Sequence, residues 1–306
     1  MGRKITVAVG ALVALGLAAG GFYWMRARGE QALPLPDVVS PEPPGFEESA
    51  LGNPRATPEP AKPGTKTKAK KKASPGELAL PLKTGEVLHY TADVAKLENV
   101  ATLTLKVRGQ GSFLGRSVWH LQAAAHTLKP LRVVFELDDQ FDSYSDARTL
   151  ASLQYEMRLN ERGQRVQSIQ RMTANGREPA TAEATEARVV PGTRDPLGMM
   201  QYLRTVEWSA TREVTSPVYD GHKLYEVRAK LVSSSVAVGV PAGDYRATKI
   251  AIHVFENGVE SKDASFALYL ANDAARTPVL LEAVMPIATA RVALMKEGQE
   301  TTESSR

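Results

Sequence analysis

Ala101-Thr102-Leu103-Thr104-Leu105-Lys106-Val107-Arg108 is the stretch that decides the fold. Apolar and polar side chains alternate along it without a break, so every second residue points to one face of an extended chain. A strand buried on one face only belongs to antiparallel sheet, because parallel strands are covered on both faces and read as continuous apolar runs. The same period of two returns at Leu153-Gln154-Tyr155-Glu156-Met157-Arg158-Leu159-Asn160 and at Tyr225-Glu226-Val227-Arg228-Ala229-Lys230-Leu231. Further strands are expected near Glu86–Val94, Arg116–Thr127, Leu131–Asp138, Gln164–Met172, Tyr245–Glu256, Ser261–Leu270, Pro278–Met285 and Ala288–Met295. Asp220-Gly221 and Asn257-Gly258 tolerate the positive φ of two-residue hairpin turns, and both lie between strand patterns. Gly109-Gln110-Gly111 reads as a further hairpin loop. About eleven or twelve strands in roughly 220 residues make one all-β unit rather than two domains, and this unit is placed at residues 77–298.

One helix interrupts the series. Asp195 is a good N-cap, Pro196 suits the first helical position, and Leu197, Met200, Leu203 and Val206 recur at spacing three. With Met199 and Trp208 nearby, that face has to dock on something apolar. The expected fold is therefore all-β with one or two helices: a large antiparallel curved sheet or open β-barrel with a helix packed on it. Such an arrangement builds either a filled core or a lidded apolar cavity, and the pattern leaves both open. Trp119, Phe135, Tyr155, Met199, Met200 and Leu203 are the candidate lining of a lipid-sized pocket, since thioethers adapt to variable chains. The same residues would serve equally to fill a core.

Ahead of this unit the sequence changes character. Ile5 to Met25 is a run of apolar residues, long enough at ~1.5 Å per helical residue to cross a ~30 Å hydrocarbon core. Arg3 and Lys4 precede it; Phe22-Tyr23-Trp24, Arg26 and Arg28 close it, as at a membrane interface. Residues 1–4 then form a cytoplasmic stub and 5–25 a single transmembrane anchor, the C-terminal part lying outside. A cleaved export signal ending near Ala18-Ala19-Gly20-Gly21 is the alternative. Residues 26–76 are rich in proline and lysine, with too little apolar surface to offset ordering, and are expected to be a disordered linker; 299–306 is a disordered tail. Lys66-Thr67-Lys68-Ala69-Lys70-Lys71-Lys72 is either a solvated block that keeps the linker extended or a contact for anionic headgroups.

Composition narrows the chemistry. The chain has 306 residues and no cysteine, which excludes disulfides, thiolate metal sites and cysteine nucleophiles. The net charge of +4 lies ahead of the β-unit: from Gly76 onward there are 27 Lys and Arg against 28 Asp and Glu. Nothing in that balance steers the domain to nucleic acid. His89, His120, His126, His222 and His253 are scattered over different elements and read as partly exposed strand residues rather than metal ligands. Asp138, Asp139, Asp142 and Asp146 are the densest group of possible ligands or acids. They lack the alternation and central glycine of a calcium loop and read as a strand end passing into a solvated connection, with Ser143 or Ser145 capping a turn. No catalytic motif stands out, so no enzyme, cofactor or metal is expected.

Four stretches resemble an uncharacterised bacterial envelope family, domain-of-unknown-function family 3108. They are Gly85-Glu86-Val87-Leu88-His89-Tyr90, Asp142-Ser143-Tyr144-Ser145-Asp146, Arg194-Asp195-Pro196-Leu197, and Ala267 through Asn272-Asp273-Ala274-Ala275-Arg276-Thr277-Pro278-Val279. The resemblance runs from Gly85 to Leu294, in order. The family is similar in plan to periplasmic lipoprotein carriers, whose half-barrels shelter acyl chains under helices. The resemblance implies a β-rich envelope domain behind an export signal; the anchor, the tether and the helix on the sheet point to a non-enzymatic protein of the bacterial inner membrane, single-pass, with its β-domain in the periplasm. Its partners would be the membrane, through the N-terminal helix, and a lipid, a lipoprotein acyl chain or an envelope protein. A structural or protein-partner tether is the alternative.

Overall fold

The computed structural model describes residues 81–129, 131–134, 136–161, 163–173, 184–262, 265–285 and 289–297, together with the backbone of 47–48. The expected span 5–25, the lysine run, the tail 299–306 and all of the linker except 47–48 lie outside the described residues. Among the described residues, no helix is long and apolar enough to cross a membrane.

The described strands form one sheet. They are β1 (Glu47–Glu48), β2 (Val87–Val94), β3 (Leu97–Phe113), β4 (Arg116–Thr127), β5 (Asp138–Asp146), β6 (Ser152–Glu161), β7 (Gln164–Thr173) and β8 (Thr185–Arg188), then β9 (Glu213–Tyr219), β10 (Leu224–Val240), β11 (Gly243–Glu256), β12 (Val259–Glu260), β13 (Ser265–Ala271), β14 (Pro278–Val284) and β15 (Thr289–Leu294). Their order across the sheet is β8-β7-β6-β5-β4-β3-β2-β15-β14-β13-β11-β10-β9, with β1 on β3 and β12 on β11. Every pairing is antiparallel except β7 with β8, as the alternation in β3, β6 and β10 requires. The sheet is strongly curved but open, its edges being β8 and β9. A short clasp joins its two halves: Thr193 O accepts from Ser152 N at 3.0 Å, while Arg194 exchanges backbone hydrogen bonds with Pro217 and Tyr219 at 3.1 and 2.8 Å.

One face of the sheet turns inward on a continuous apolar core that includes Leu103, Leu105, Leu121, Phe141, Tyr155, Ile250, Leu268 and Val292. The turns obey their residues. Asn257 and Gly258 take φ of 52° and 79°, and Leu114 and Gly115 take 50° and 73°, the paired left-handed conformations that match strand twist in a tight hairpin.

Four expectations are corrected. Gly109-Gln110-Gly111 lies inside β3, at a bulge between Val107 and Gly109, and the chain reverses later, at Leu114-Gly115. Leu131–Val134 is a helical turn, α1, not a strand. There Leu131 is buried, and Arg132 reaches both oxygens of Asp138 at 2.9 and 2.7 Å, so tertiary contacts override β-branched propensity. The Asp138–Asp146 stretch is a central strand, not a solvated connection. Glu47–Glu48, within the expected disordered linker, pairs with Ser112 and Gly111 of β3.

The second helix, α2, spans Pro196–Thr205 with Asp195 as N-cap and Pro196 at the first position, as its sequence signals. It lies across one end of the curved sheet. Its N-terminus meets the end of β5 and the start of β6; its C-terminus meets the residue before β2 and the turn after β13. Antiparallel alternation puts all four of those points at the same end.

Candidate functional site

The site begins with what holds α2 in place. At its N-terminus Asp195, fully buried, accepts from Gly198 N at 2.8 Å on Oδ1, the capping bond of the first turn. Its Oδ2 accepts from Ser143 Oγ at 2.5 Å and Ser152 Oγ at 2.6 Å. Ser143 spends its proton there, so Ser145 donates to Ser143 at 2.8 Å. Asp195 N in turn donates to Ser152 Oγ at 2.7 Å. Burial drives the Asp195 carboxyl upward in pKa, opposed by the hydrogen bonds of Ser143, Ser152 and Gly198. Gly198 is required by this closeness: a Cβ there would stand 3.0 Å from Leu150 O and 3.1 Å from both Ser145 Oγ and Ser152 Oγ. Gly198→Ala is expected to cost about 1–3 kcal/mol, by overpacking, read as a shift in urea midpoint.

At the other end Arg204 is fully buried and binds both oxygens of Glu86 at 2.7 and 2.9 Å. Arg276 closes the helix, its Nη1 donating to Arg204 O at 3.1 Å and Val206 O at 2.6 Å. A cation thus sits where the last carbonyls lack partners.

Beneath α2 lies an apolar cleft. Pro196, Met199, Met200 and Leu203 form its roof; Val218, Val227, Ile252, Val254, Leu268 and Leu281 form its wall. Its volume is about 60 Å³, below the ~150 Å³ that a benzene-sized guest occupies and far below an ordinary ligand pocket of ~300–1,000 Å³. The lipid-sized space expected from the sequence is therefore not open in this structure. The wall is incompletely covered, however. Ile252, Val254 and Phe266 face inward and remain only half-buried, and Val259, cross-strand from Glu256, is 70 % exposed. This apolar row runs from the cleft to the rim of the sheet away from α2.

Of the six expected lining residues, Met199, Met200 and Leu203 line the cleft. Trp119 and Tyr155 are buried in the same core but on the β4–β6 side, and do not line it. Phe135 lies outside the described residues.

The acidic group disperses, because strand alternation sends its members to opposite faces. Asp138 binds Arg132 and His126, and Asp146 accepts from Arg148 N and Thr149 N at 3.0 Å each. Asp139 faces the core. Asp142 faces outward and joins His120, which corrects the expectation that each histidine is partly exposed: both are 3 % exposed, with Nε2 and Oδ1 2.8 Å apart. Burial alone would raise the Asp142 pKa. The hydrogen bonds of His120, Gln140 and Gln122 outweigh it and hold the carboxyl at about 2. Arg158 bridges Asp142 and Glu156 at 2.7 and 2.8 Å, and Tyr144 stacks between His120 and Phe113. So enclosed, the His120–Asp142 pair has little surface for a substrate to reach. It reads as a structural network that fixes β4, β5 and β6 together.

Sequence reasoning missed Arg204 and the joint role of Ser143, Ser152 and Asp195. An arginine within an apolar helix face was the available signal for the first.

Among curated proteins, no sequence match is found. Three solved structures are similar to this one at low identity. A β-barrel-like protein of domain of unknown function DUF1849 from Brucella abortus is 10 % identical, with a TM-score of 0.43, over 69 % of this chain and 95 % of that one. A candidate lipoprotein from Parabacteroides distasonis is 11 % identical, with a TM-score of 0.34, over 73 % and 99 %. An exported-protein candidate with a YmcC-like fold from Bacteroides fragilis is 11 % identical, with a TM-score of 0.28, over 72 % and 98 %. Likeness of this degree carries no argument about activity. The family profile described as "Protein of unknown function (DUF3108)" matches residues 88–295, from the second residue of β2 to just past β15, and the chain belongs to that family.

Proposed function

We propose that the domain is a non-enzymatic binding module of the bacterial envelope, tethered to the inner membrane by its N-terminal segment. In this reading it takes an apolar or amphipathic ligand, such as an acyl chain, beneath α2. The observation that carries it is the row Ile252, Val254 and Phe266. These inward-facing residues are left half-buried beside an apolar cleft with a methionine roof. A protein that only needed a core would cover them. The cleft admits the end of a chain as it stands. Met199 and Met200 have the rotamer freedom to swing aside for more, whereas α2 itself is held at both ends.

N-phenyl-naphthylamine, a neutral apolar fluorophore, tests this on the full chain together with lipid extraction and mass spectrometry. The protein is expected to carry extractable lipid and to bind the probe. Ile252→Trp, at a half-buried position where added bulk is tolerated, should weaken probe binding about tenfold, equivalent to about 1.4 kcal/mol. Neither lipid nor probe bound would end the reading. The small volume of the cleft favours a second one, in which the domain holds an envelope protein; crosslinking in cells would then capture one dominant protein partner.

A further inference from the structure

The rim of the sheet opposite α2 gathers apolar side chains that the fold leaves in water. Antiparallel alternation brings the β2–β3, β4–β5, β9–β10, β11–β12 and β14–β15 connections to that rim. In or beside each stands one exposed aliphatic residue: Leu97, Val133, Leu224, Val259 and Val284. These are five of the eight exposed large apolar residues among the described ones, and Val133 and Val259 are the most exposed of all, at 81 and 70 %. The other three, Val87, Val190 and Val232, lie away from it. Single exposed apolar residues are ordinary; one at each of five connections along a single rim marks a surface that meets something apolar.

The charges there favour a lipid surface. Lys96, Lys129 and Lys262 are exposed and have no ion-pair partner among the described residues. The acids beside them are mostly taken: Glu136 and Asp138 by Arg132, Glu256 by Lys223 and Glu260 by His253. Glu98 remains. A protein-docking patch has a continuous apolar centre and is depleted in lysine. Separate aliphatic tips flanked by lysines suit a bilayer instead, where each tip enters the headgroup–acyl boundary and the ammonium groups meet anionic headgroups. The chain is long enough for that orientation. Glu47–Glu48 pairs with β3 at the α2 end, and 21 residues, Arg26 to Phe46, separate it from the expected span. Extended, these reach ~65 Å, about twice the length of the ten-residue β6.

We infer that this rim docks the domain on the surface of a bilayer containing anionic phospholipid, with Leu97, Val133, Leu224, Val259 and Val284 entering it. The half-buried row Ile252, Val254 and Phe266 then leads from the lipid to the cleft. The inference goes beyond the ligand reading and does not rest on it, since docking is decided at the rim and ligand binding at the cleft.

The chain has no cysteine, so one can be introduced and labelled with a nitrobenzoxadiazole fluorophore. Val133→Cys and Val259→Cys report on the rim and Val232→Cys on β10 away from it; all three positions are exposed and accept a label. Each full chain is reconstituted in vesicles of phosphatidylcholine and phosphatidylglycerol, with and without spin-labelled phosphatidylcholine as quencher. The rim labels should lose about half of their emission or more, and the Val232 label about a tenth or less. Leu97→Asp, added to the Val259→Cys chain, should bring its quenching down to the Val232 level. Omitting phosphatidylglycerol should weaken rim quenching about twofold; no change would overturn the part given to the lysines. Rim labels that escape the quencher overturn the docking and turn the ring towards a protein partner or a second copy. Equal quenching at all three positions overturns it too, because the domain would then lie on the bilayer with no preferred face. Quenching that survives Leu97→Asp overturns the insertion of these tips. N-phenyl-naphthylamine binding to the same chains is read separately: its absence removes the ligand and leaves the docking in place.

Discussion

Arg204→Met is expected to destabilise the domain by roughly 3–5 kcal/mol, the range for breaking a buried ion pair from one side. All five N–H groups of the guanidinium are used. Nη1 donates to Glu86 Oε2 at 2.7 Å and Gln201 Oε1 at 2.8 Å; Nη2 donates to Glu86 Oε1 at 2.9 Å and Ala275 O at 2.9 Å; Nε donates to Ala275 O at 3.2 Å. Methionine fills the space but leaves a carboxylate, an amide oxygen and a carbonyl without their donor. Adding Glu86→Gln removes the stranded charge, so the double variant should recover about 1–3 kcal/mol of the loss. Urea unfolding measures both. Trp208, whose Nε1 donates to Leu203 O at 3.0 Å, reports locally on whether α2 has loosened. A single-variant cost below about 1 kcal/mol would mean that Arg204 does not hold the helix.

The four stretches that carry the family resemblance come together in pairs at the two ends of this helix. Asp142–Asp146 and Arg194–Leu197 meet where Ser143 donates to Asp195. Gly85–Tyr90 and Ala267–Val279 meet where Glu86 and Ala275 receive Arg204, and where Tyr90 Oη donates to Pro278 O at 2.7 Å. Stretches far apart in sequence thus share one physical task, placing α2 across the mouth of the sheet. They work as a clamp rather than as a reactive centre, which is why none of them reads as chemistry on its own.

What the residues disclosed in advance was local. Alternation in β3, β6 and β10, the turn at Asn257-Gly258 and the N-cap at Asp195 each depend on neighbours in sequence. The strand β5 shows where that information ends. Asp138-Asp139-Gln140-Phe141-Asp142-Ser143-Tyr144-Ser145-Asp146 looks like a solvated connection because four aspartates and two serines lie within it. It is a buried strand because its polar groups find partners contributed by β4, β6 and the helix cap: His120 and Gln122, Arg158, and Asp195. Burial of a polar residue is decided by whether a partner reaches it, and partners from distant segments leave no periodicity behind. The cleft was half legible for the same reason. Its methionine roof follows helical spacing, while its wall is set by which strands the curvature brings opposite.

Asp139→Asn should stabilise the domain increasingly as pH rises from 4 to 8. Burial first, and the neighbouring charge of Glu161 second, push the Asp139 carboxyl from 3.8 up to about 7, against the smaller pull of the Asn160 N–H. Between those two values the unfolded chain has given up this proton and the folded chain has kept it. Stability therefore falls as pH climbs through the window, is fully present below about pH 4, and stops changing above about pH 7. At about 1.4 kcal/mol per unit, the loss amounts to roughly 4–5 kcal/mol by pH 8. Asparagine keeps the acceptor for Asn160 N and has no charge to bury. The difference between variant and parent should then be near zero at pH 4 and should approach that full amount at pH 8. Taking the difference matters, because Asp142 titrates in the opposite sense: held at about 2, it withdraws stability only as pH falls below about 4. The same comparison run on Asp142→Asn should therefore show a loss at neutral pH that shrinks in acid, the mirror image of the Asp139 profile. A flat difference for Asp139→Asn would show that its carboxyl is already ionised at pH 5 and that the inner face of the sheet is wetter than the packing around it implies.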